Sequence, residues 1–231
     1  YDLATVDWKT EYDVASTLRE LGHDVHVLGV KDELGGIRQT VAESKPHIAF
    51  NLLEAFHEIG TFDQNVVAYL ELLRVSYTGC TPRGLLLSRA KSLSKKLLAY
   101  HRLPVPDFAV FRTGRKIRRP KRLSFPLIVK SLTQEASIGI SQASVVESDD
   151  KLKERVTFIH ESIGTAAIVE QYIEGRELYV GILGNRAIQS LTVWELFFTN
   201  MPPEARRIAT DRVKWSAKYR KKYGIDSGPA K

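Results

Sequence analysis

Two apolar runs constrain this chain more than any other feature of it. Phe125-Pro126-Leu127-Ile128-Val129 and Ala166-Ala167-Ile168-Val169 are short, rich in β-branched residues, and each ends at a charge, Lys130 and Glu170. Runs of this kind read as buried strands. A buried strand does not hold a charge cheaply, so the residue that ends it is either reaching solvent or serving a ligand. The first run delivers Lys130 into a loop of small and polar residues, Ser131 to Gly139. The second passes Glu170-Gln171-Tyr172-Ile173 and the turn Glu174-Gly175, then re-enters a strand from Arg176 to Leu183.

The rest of the chain alternates in period. Tyr12, Ala15, Leu18 and Leu21 share one face of a helix over 8–22, with Gly22 as its stop. Val25–Val30 and His47–Leu52 read as strands around a short helix over 35–45, and Asn65–Arg74 as a helix with Val66, Val67, Leu70 and Leu73 inward. This order predicts an α/β fold whose N-terminal part is an open parallel sheet with crossover helices. A Leu-rich turn follows Pro82, then a helix over 88–101 carrying Lys91, Lys95 and Lys96. A scaffold helix over 149–162 is expected to be capped by Asp149 or Asp150. Gly184-Asn185-Arg186 reads as a hairpin turn, with a return strand over 187–195.

Composition excludes little but excludes it firmly. At 231 residues, 43% apolar and 26% charged, the chain can bury a core, and no run nears the roughly 18 apolar residues of a membrane helix. The N-terminus lacks the layout of a signal peptide, so no membrane partner and a cytoplasmic location are expected. Cys80 is the single cysteine and has no metal-type spacing around it. The net charge of +7 is concentrated in Arg112, Arg115, Lys116, Arg118, Arg119, Lys121 and Arg122, and again over 206–222. Such clusters are either solvated faces or sites for anions. The missing interleaved aromatics and the missing RNP or zinc-finger pattern argue against nucleic acid. No Gly-x-x-x-x-Gly-Lys-Ser/Thr loop is present, so Lys130 is not a P-loop lysine.

Taken in order, strand-Lys130, a loop with Ser137 and Gly139, strand-Glu170-Gln171-Tyr172-Ile173 and Glu177 resemble the nucleotide site of the ATP-grasp superfamily, in its D-alanine:D-alanine ligase-like branch. Asn51-Leu52-Leu53-Glu54, Asp63-Gln64-Asn65 and Tyr77-Thr78-Gly79 resemble that branch's N-terminal domain. The resemblance implies ATP as cofactor, with Lys130 and Lys91 at the phosphates, Ser137 and Gly139 in a loop over them, and 170–173 along the adenine. It puts Glu177 on the ribose, and Lys218 on a mobile loop that reaches the γ-phosphate. Glu54, His57 and Asp63 are either loop polarity or substrate-side contacts.

The implied function is a carboxylate–amine ligase that forms an amide through an acyl-phosphate, acting on small molecules and leaving room for a homodimer. The alternative is a non-catalytic nucleotide-binding protein on the same scaffold. Two positions depart from the ligases: Ala90 precedes Lys91 where an acidic residue is usual, and Ala136 replaces a serine that orients the first D-alanine, so the substrate need not be D-alanine. The resemblance also implies Mg2+, held by an Asp, a Glu and an Asn beyond Lys231 and by no residue of this chain. Both ends therefore read as clipped. The expected domains are 1–86 (pre-ATP-grasp), 87–169 (central ATP-grasp) and 170–231 (an incomplete C-terminal subdomain). The basic stretch around Lys218 is expected to be disordered or displaced, and the chain alone to turn over no ATP.

Overall fold

The computed structural model describes residues 8–231, which form two compact units divided between Arg89 and Ala90. Among the described residues the first holds four α-helices: α1 (Lys9–Glu20), α2 (Gly35–Ser44), α3 (Asp63–Leu72) and α4 (Pro82–Arg89). Gly22 takes φ +86 and donates its N–H to the Arg19 carbonyl at 2.9 Å, ending α1 where expected. Ile37, Val66 and Leu70 are buried together, with Val41, Leu53 and Tyr77 packed around them.

The expected parallel sheet is reduced, among the described residues, to one parallel bridge between Ala49 and Tyr77. Ala49 donates to the Ser76 carbonyl at 2.8 Å and accepts from the Thr78 N–H at 3.0 Å. The apolar residues at 25–30 and 47–52 do not become strands. A ladder needs partners for successive N–H and C=O groups, and here Val27 is 70% exposed and Ile48 52%. The Leu-rich stretch expected as a turn is α4. Pro82 suits a first helical position, and the Thr81 hydroxyl accepts the Gly84 N–H at 3.2 Å. Asp63, 3% exposed, accepts from Arg89 Nε at 2.9 Å and Nη2 at 2.7 Å, and Arg89 also donates to the Glu54 carbonyl at 3.0 Å. This ties α3 to α4, so Asp63 serves the scaffold.

The second unit opens with α5 (Lys91–Tyr100), three residues later than expected because Ser88 and Arg89 finish α4. It continues with β1 (Phe108–Phe111), β2 (Leu127–Ser131), β3 (Val145–Val146), α6 (Asp149–Phe158) and β4 (Ala167–Gln171), and the sheet order is β1-β4-β2-β3, all antiparallel. Lys130 does not end its strand: β2 runs on through Lys130, opposite Ile168, and Ser131, opposite Ala167. Leu127, Val129, Ala167 and Val169 bury one face of the sheet against Leu152, Val156 and Ile159. Each such buried aliphatic side chain contributes about 1.5–3 kcal/mol. The cap of α6 is Ser148, not an aspartate. Its backbone is extended and its hydroxyl accepts the Lys151 N–H at 3.2 Å, which leaves Asp149 and Asp150 in the first turn, facing the positive end of the helix. Regular α-helix stops at Phe158, and a π-helical turn, Ile159–Ile163, carries the chain to Gly164 at φ +74.

The strand expected over 176–183 is interrupted at Val180-Gly181, giving β5 (Glu177–Tyr179) and β6 (Ile182–Leu183). β6 pairs with β7 (Gln189–Ser190) as a hairpin, and β5 pairs with β8 (Trp194–Phe198). The basic stretch is ordered, contrary to expectation. Thr210 caps α7 (Asp211–Trp215), Ser216 caps α8 (Ala217–Tyr223), Gly224 closes α8 at φ +56, and β9 (Ile225–Pro229) completes a sheet of order β5-β8-β9. Burial of Ile208, Val213 and Ile225 anchors this segment. Among the described residues no helix is long and apolar enough to cross a membrane.

Candidate functional site

Directly opposed residues of antiparallel strands share a face. Ile128 with Glu170, and Lys130 with Ile168, therefore make up the face of the sheet that α6 does not cover. Glu170 is only 5% exposed, and its carboxylate lies between two ammonium groups: Lys95 Nζ is 3.0 Å from Oε2, and Lys130 Nζ is 3.6 Å from Oε1. Lys95 also lies over the Phe108 ring, 5.9 Å from its centroid. Lys91, one turn earlier on α5, donates to the Gln134 carbonyl at 2.6 Å and approaches Glu135 Oε1 at 3.7 Å. Burial lowers the Lys91 pKa, and the nearby Glu135 offsets part of that fall.

Ile128 and Lys130 open onto a cavity of about 350 Å3. Its walls include Pro106 before β1, Ser137 and Ile140 from the loop after β2, Gln171-Tyr172-Ile173 at the end of β4, and Glu177 of β5. Arg207, Ile208 and Ala209 close it from the far side. Glu177 is held at both oxygens: Oε1 accepts from the Tyr179 hydroxyl at 2.6 Å and Oε2 from the Ala209 N–H at 3.2 Å. Burial, with the Glu177 bond added, drives the Tyr179 hydroxyl well above its ordinary pKa. The Ser137 hydroxyl donates to the Ala209 carbonyl at 2.7 Å, and Ala136 and Ser137 both take positive φ, 53° and 67°. Arg206 fastens the same loop: its N–H donates to Gln142 Oε1 at 2.8 Å, its carbonyl accepts from Gln142 Nε2 at 2.9 Å, and its guanidinium reaches Glu147 at 2.5 Å.

Of the residues singled out from the sequence, Lys130, Ser137, Gln171, Tyr172, Ile173 and Glu177 line this cavity together. Lys91, Gly139, Glu170 and Lys218 do not. Glu170 sits beneath the wall as the partner of two lysines. Gly139, at φ +72, packs against Ile163: a Cβ there would lie 3.0 Å from Ile163 Cδ1. Its carbonyl accepts from Arg155 Nη2. Lys218 is exposed on α8, in place of the mobile loop expected for it.

Residues 97–221 match the family model described as the D-ala D-ala ligase C-terminus. The chain belongs to that family. It is 32% identical over 186 residues to the D-alanine–D-alanine ligase of Desulforudis audaxviator, covering 79% of this chain and 58% of that ligase. It is 30% identical over 214 residues to an uncharacterised protein of Sinorhizobium fredii, covering 89% of this chain and 59% of that protein. In fold it is similar to the D-alanine–D-alanine ligase from Bacillus anthracis complexed with ATP, with a TM-score of 0.64 at 16% identity over 98% of this chain and 68% of that one. The chain thus spans about three-fifths of the length of these curated relatives.

Within this member of the D-ala D-ala ligase family, sequence reasoning missed the wall formed by Arg207, Ile208 and Ala209, and the role of Lys95. Lys95 was visible as one of three lysines on a helix, four residues after Lys91 and so on the same face. The segment 206–209 carried no local signal beyond its basic character, because it reaches the cavity only through contacts with residues about 30 to 70 positions away.

Proposed function

We propose that this chain is the nucleotide-binding part of an ATP-dependent carboxylate–amine ligase, one that activates a carboxylate as an acyl-phosphate and passes it to an amine. One observation carries the reading. Lys130 from one sheet and Glu177 from another face a single cavity of about 350 Å3, with Gln171-Tyr172-Ile173 as its apolar and aromatic side. That volume falls in the range of small-molecule sites, about 300–1,000 Å3. ATP would supply the phosphoryl group. Lys130 and Arg207 provide positive charge for phosphates in the cavity, and Lys91 would reach them only by leaving Gln134 and Glu135. The Tyr172 and Ile173 side chains give a surface for a base, and the Glu177 carboxylate an acceptor for ribose hydroxyls. The work of these residues is positioning and charge neutralisation, which is most of what a protein contributes to phosphoryl transfer.

Mg2+ belongs to this reading, yet among the described residues no group of three or more His, Cys, Asp or Glu converges on one point that could hold a metal ion. The substrates stay open because Ala136 stands where the ligases place a serine.

ATP titration tests the nucleotide half of the proposal. Lys130→Met removes a charge-assisted contact worth about 1.5–3 kcal/mol and should weaken ATP roughly tenfold to more than a hundredfold. Glu177→Ala should weaken ATP and leave tripolyphosphate, which has no ribose, unaffected. Parental ATP affinity in both variants would move the site elsewhere. The ligase half is tested by screening amino-acid pairs for Mg2+-dependent amide formation by the full-length protein. Tight ATP binding without product from any pair would favour the non-catalytic alternative.

A further inference from the structure

The connector between β1 and β2 carries seven cations, and the structure separates six of them, all but Lys121, into two groups. Arg119 and Arg122 shape the connector itself. Arg119 pairs with Asp149 at 2.8 Å and donates to the Leu123 carbonyl, and Arg122 Nη2 donates to the Phe108 carbonyl at 2.5 Å, which folds the connector back along the outer edge of β1. Arg112, Arg115, Lys116 and Arg118 do none of this. They are exposed, and among the described residues none of the four makes an ion pair or a side-chain hydrogen bond. All four line one cavity of about 190 Å3, whose floor is Ala109-Val110-Phe111 of β1 and Pro120, with no carboxylate in its wall.

Four like charges around one small hollow repel one another, and no internal counter-charge offsets the repulsion. Nothing in the fold requires the arrangement, since β1 is already paired with β4 on one edge and covered by Arg122 on the other. We propose that this cavity is a second anion site, distinct from the cleft around Lys130, that takes a compact oligophosphate group of two or three phosphates. The hollow is too small for a nucleoside triphosphate in full but suits its phosphate tail or a free oligophosphate, and arginine forks match phosphate oxygens in pairs. A nucleic-acid strand fits less well. The only aromatic ring in the wall, Phe111, is buried and offers no surface on which a base could stack.

Titration calorimetry with inorganic tripolyphosphate at 150 mM salt tests this on three proteins: the parent, Lys130→Met, and the double variant Arg115→Ala/Arg118→Ala, whose side chains are exposed and leave the core untouched. The parent and Lys130→Met should each bind at this site, and the double variant should lose at least tenfold in affinity for it while keeping the ATP binding of the cleft around Lys130. Cytidine triphosphate should compete within a few-fold of tripolyphosphate, because only the phosphates enter. Equal binding by the parent and the double variant would overturn the proposal, as would loss confined to Lys130→Met, which would put the anion in the cleft. Affinity for oligouridylate that exceeds tripolyphosphate and rises with length would make the connector a nucleic-acid surface, and absence of any binding would make it a charged guard on the edge of β1.

Discussion

Lys95 Nζ stands 3.0 Å from Glu170 Oε2, on the side of the carboxylate away from Lys130. Taking a carboxylate to 5% exposure is costly, and that desolvation is repaid only by close opposite charge. Lys95→Met leaves Lys130 as the remaining charged partner and should destabilise the second unit by about 1–3 kcal/mol, below the full cost of breaking a wholly buried pair because both lysines are partly open to water. Urea unfolding of the single variants and of Lys95→Met/Glu170→Gln checks this. The double variant should be less destabilised than the sum of the two by about 1 kcal/mol or more.

Arg155 is a buried cation that, among the described residues, forms no close ion pair, its nearest charge influence being Glu154 beside it on α6. Only 9% exposed, it donates from Nη2 to the Gly139 carbonyl and to Ser144 Oγ (3.0 Å), lies over the Phe158 ring, and leaves Nε without a partner. Burial lowers its pKa. Arg155→Met keeps most of the packing and removes an expensive charge, so global stability should change by no more than about 1–2 kcal/mol. The loop loses its anchor, however, and amide exchange over 136–144 should accelerate. Unchanged exchange there with a large loss of global stability would mean that Arg155 serves the core alone.

Lys91 gives the chain an alkaline signature. Burial holds its folded pKa below the ordinary 10.5, so the unfolded chain binds more protons in the window between the two values, and stability attributable to this residue rises with pH across it. The penalty is fully present below the folded pKa. In Lys91→Met the penalty is absent. The difference in urea midpoint, parent minus variant, should therefore increase from pH 7 toward pH 10.5, and a flat or falling difference would contradict the assignment.

Gly184 admits no other residue. It takes φ +121, and a Cβ there would lie 2.1 Å from the Ala187 carbonyl oxygen, a backbone atom that cannot step aside. Gly184→Ala should open the β6–β7 hairpin. Since both strands are exposed, the loss should be local: rapid amide exchange over 182–190 with the thermal midpoint lowered by a few degrees at most.

Two strands of the four-stranded sheet, β2 and β4, were legible because they announce themselves locally, as dense apolar runs of fitting length, whereas the short β1 and β3 were not read. The ends of β2 and β4 were not legible. Lys130 could stay inside β2 because Glu170 lies on the same face of the neighbouring strand, and an isolated run does not show where its partner's charge will fall. The same limit explains Val25–Val30 and His47–Leu52, whose apolar character is strand-like but whose ladders need partners that the described residues do not supply. Lys91 and Lys95 illustrate a finer ambiguity. Four residues apart on one helix face, they are equivalent by pattern, and only the tertiary fold sends one to Gln134 and the other to Glu170. The order over 206–229 was readable in part: Thr210-Asp211, Ser216 and Gly224 are ordinary helix punctuation, outweighed in the reading by the density of positive charge around them.

Ala209 is tied to the cleft through its peptide groups, giving its N–H to Glu177 and accepting at its carbonyl from Ser137. Every amino acid except proline brings the same two groups, so the side chain at this position can vary without altering either bond. What closes the far wall of the cavity is thus written in the route the chain takes past it, and a genetic screen that reads only side-chain changes would pass over position 209 while registering its two correspondents, Ser137 and Glu177.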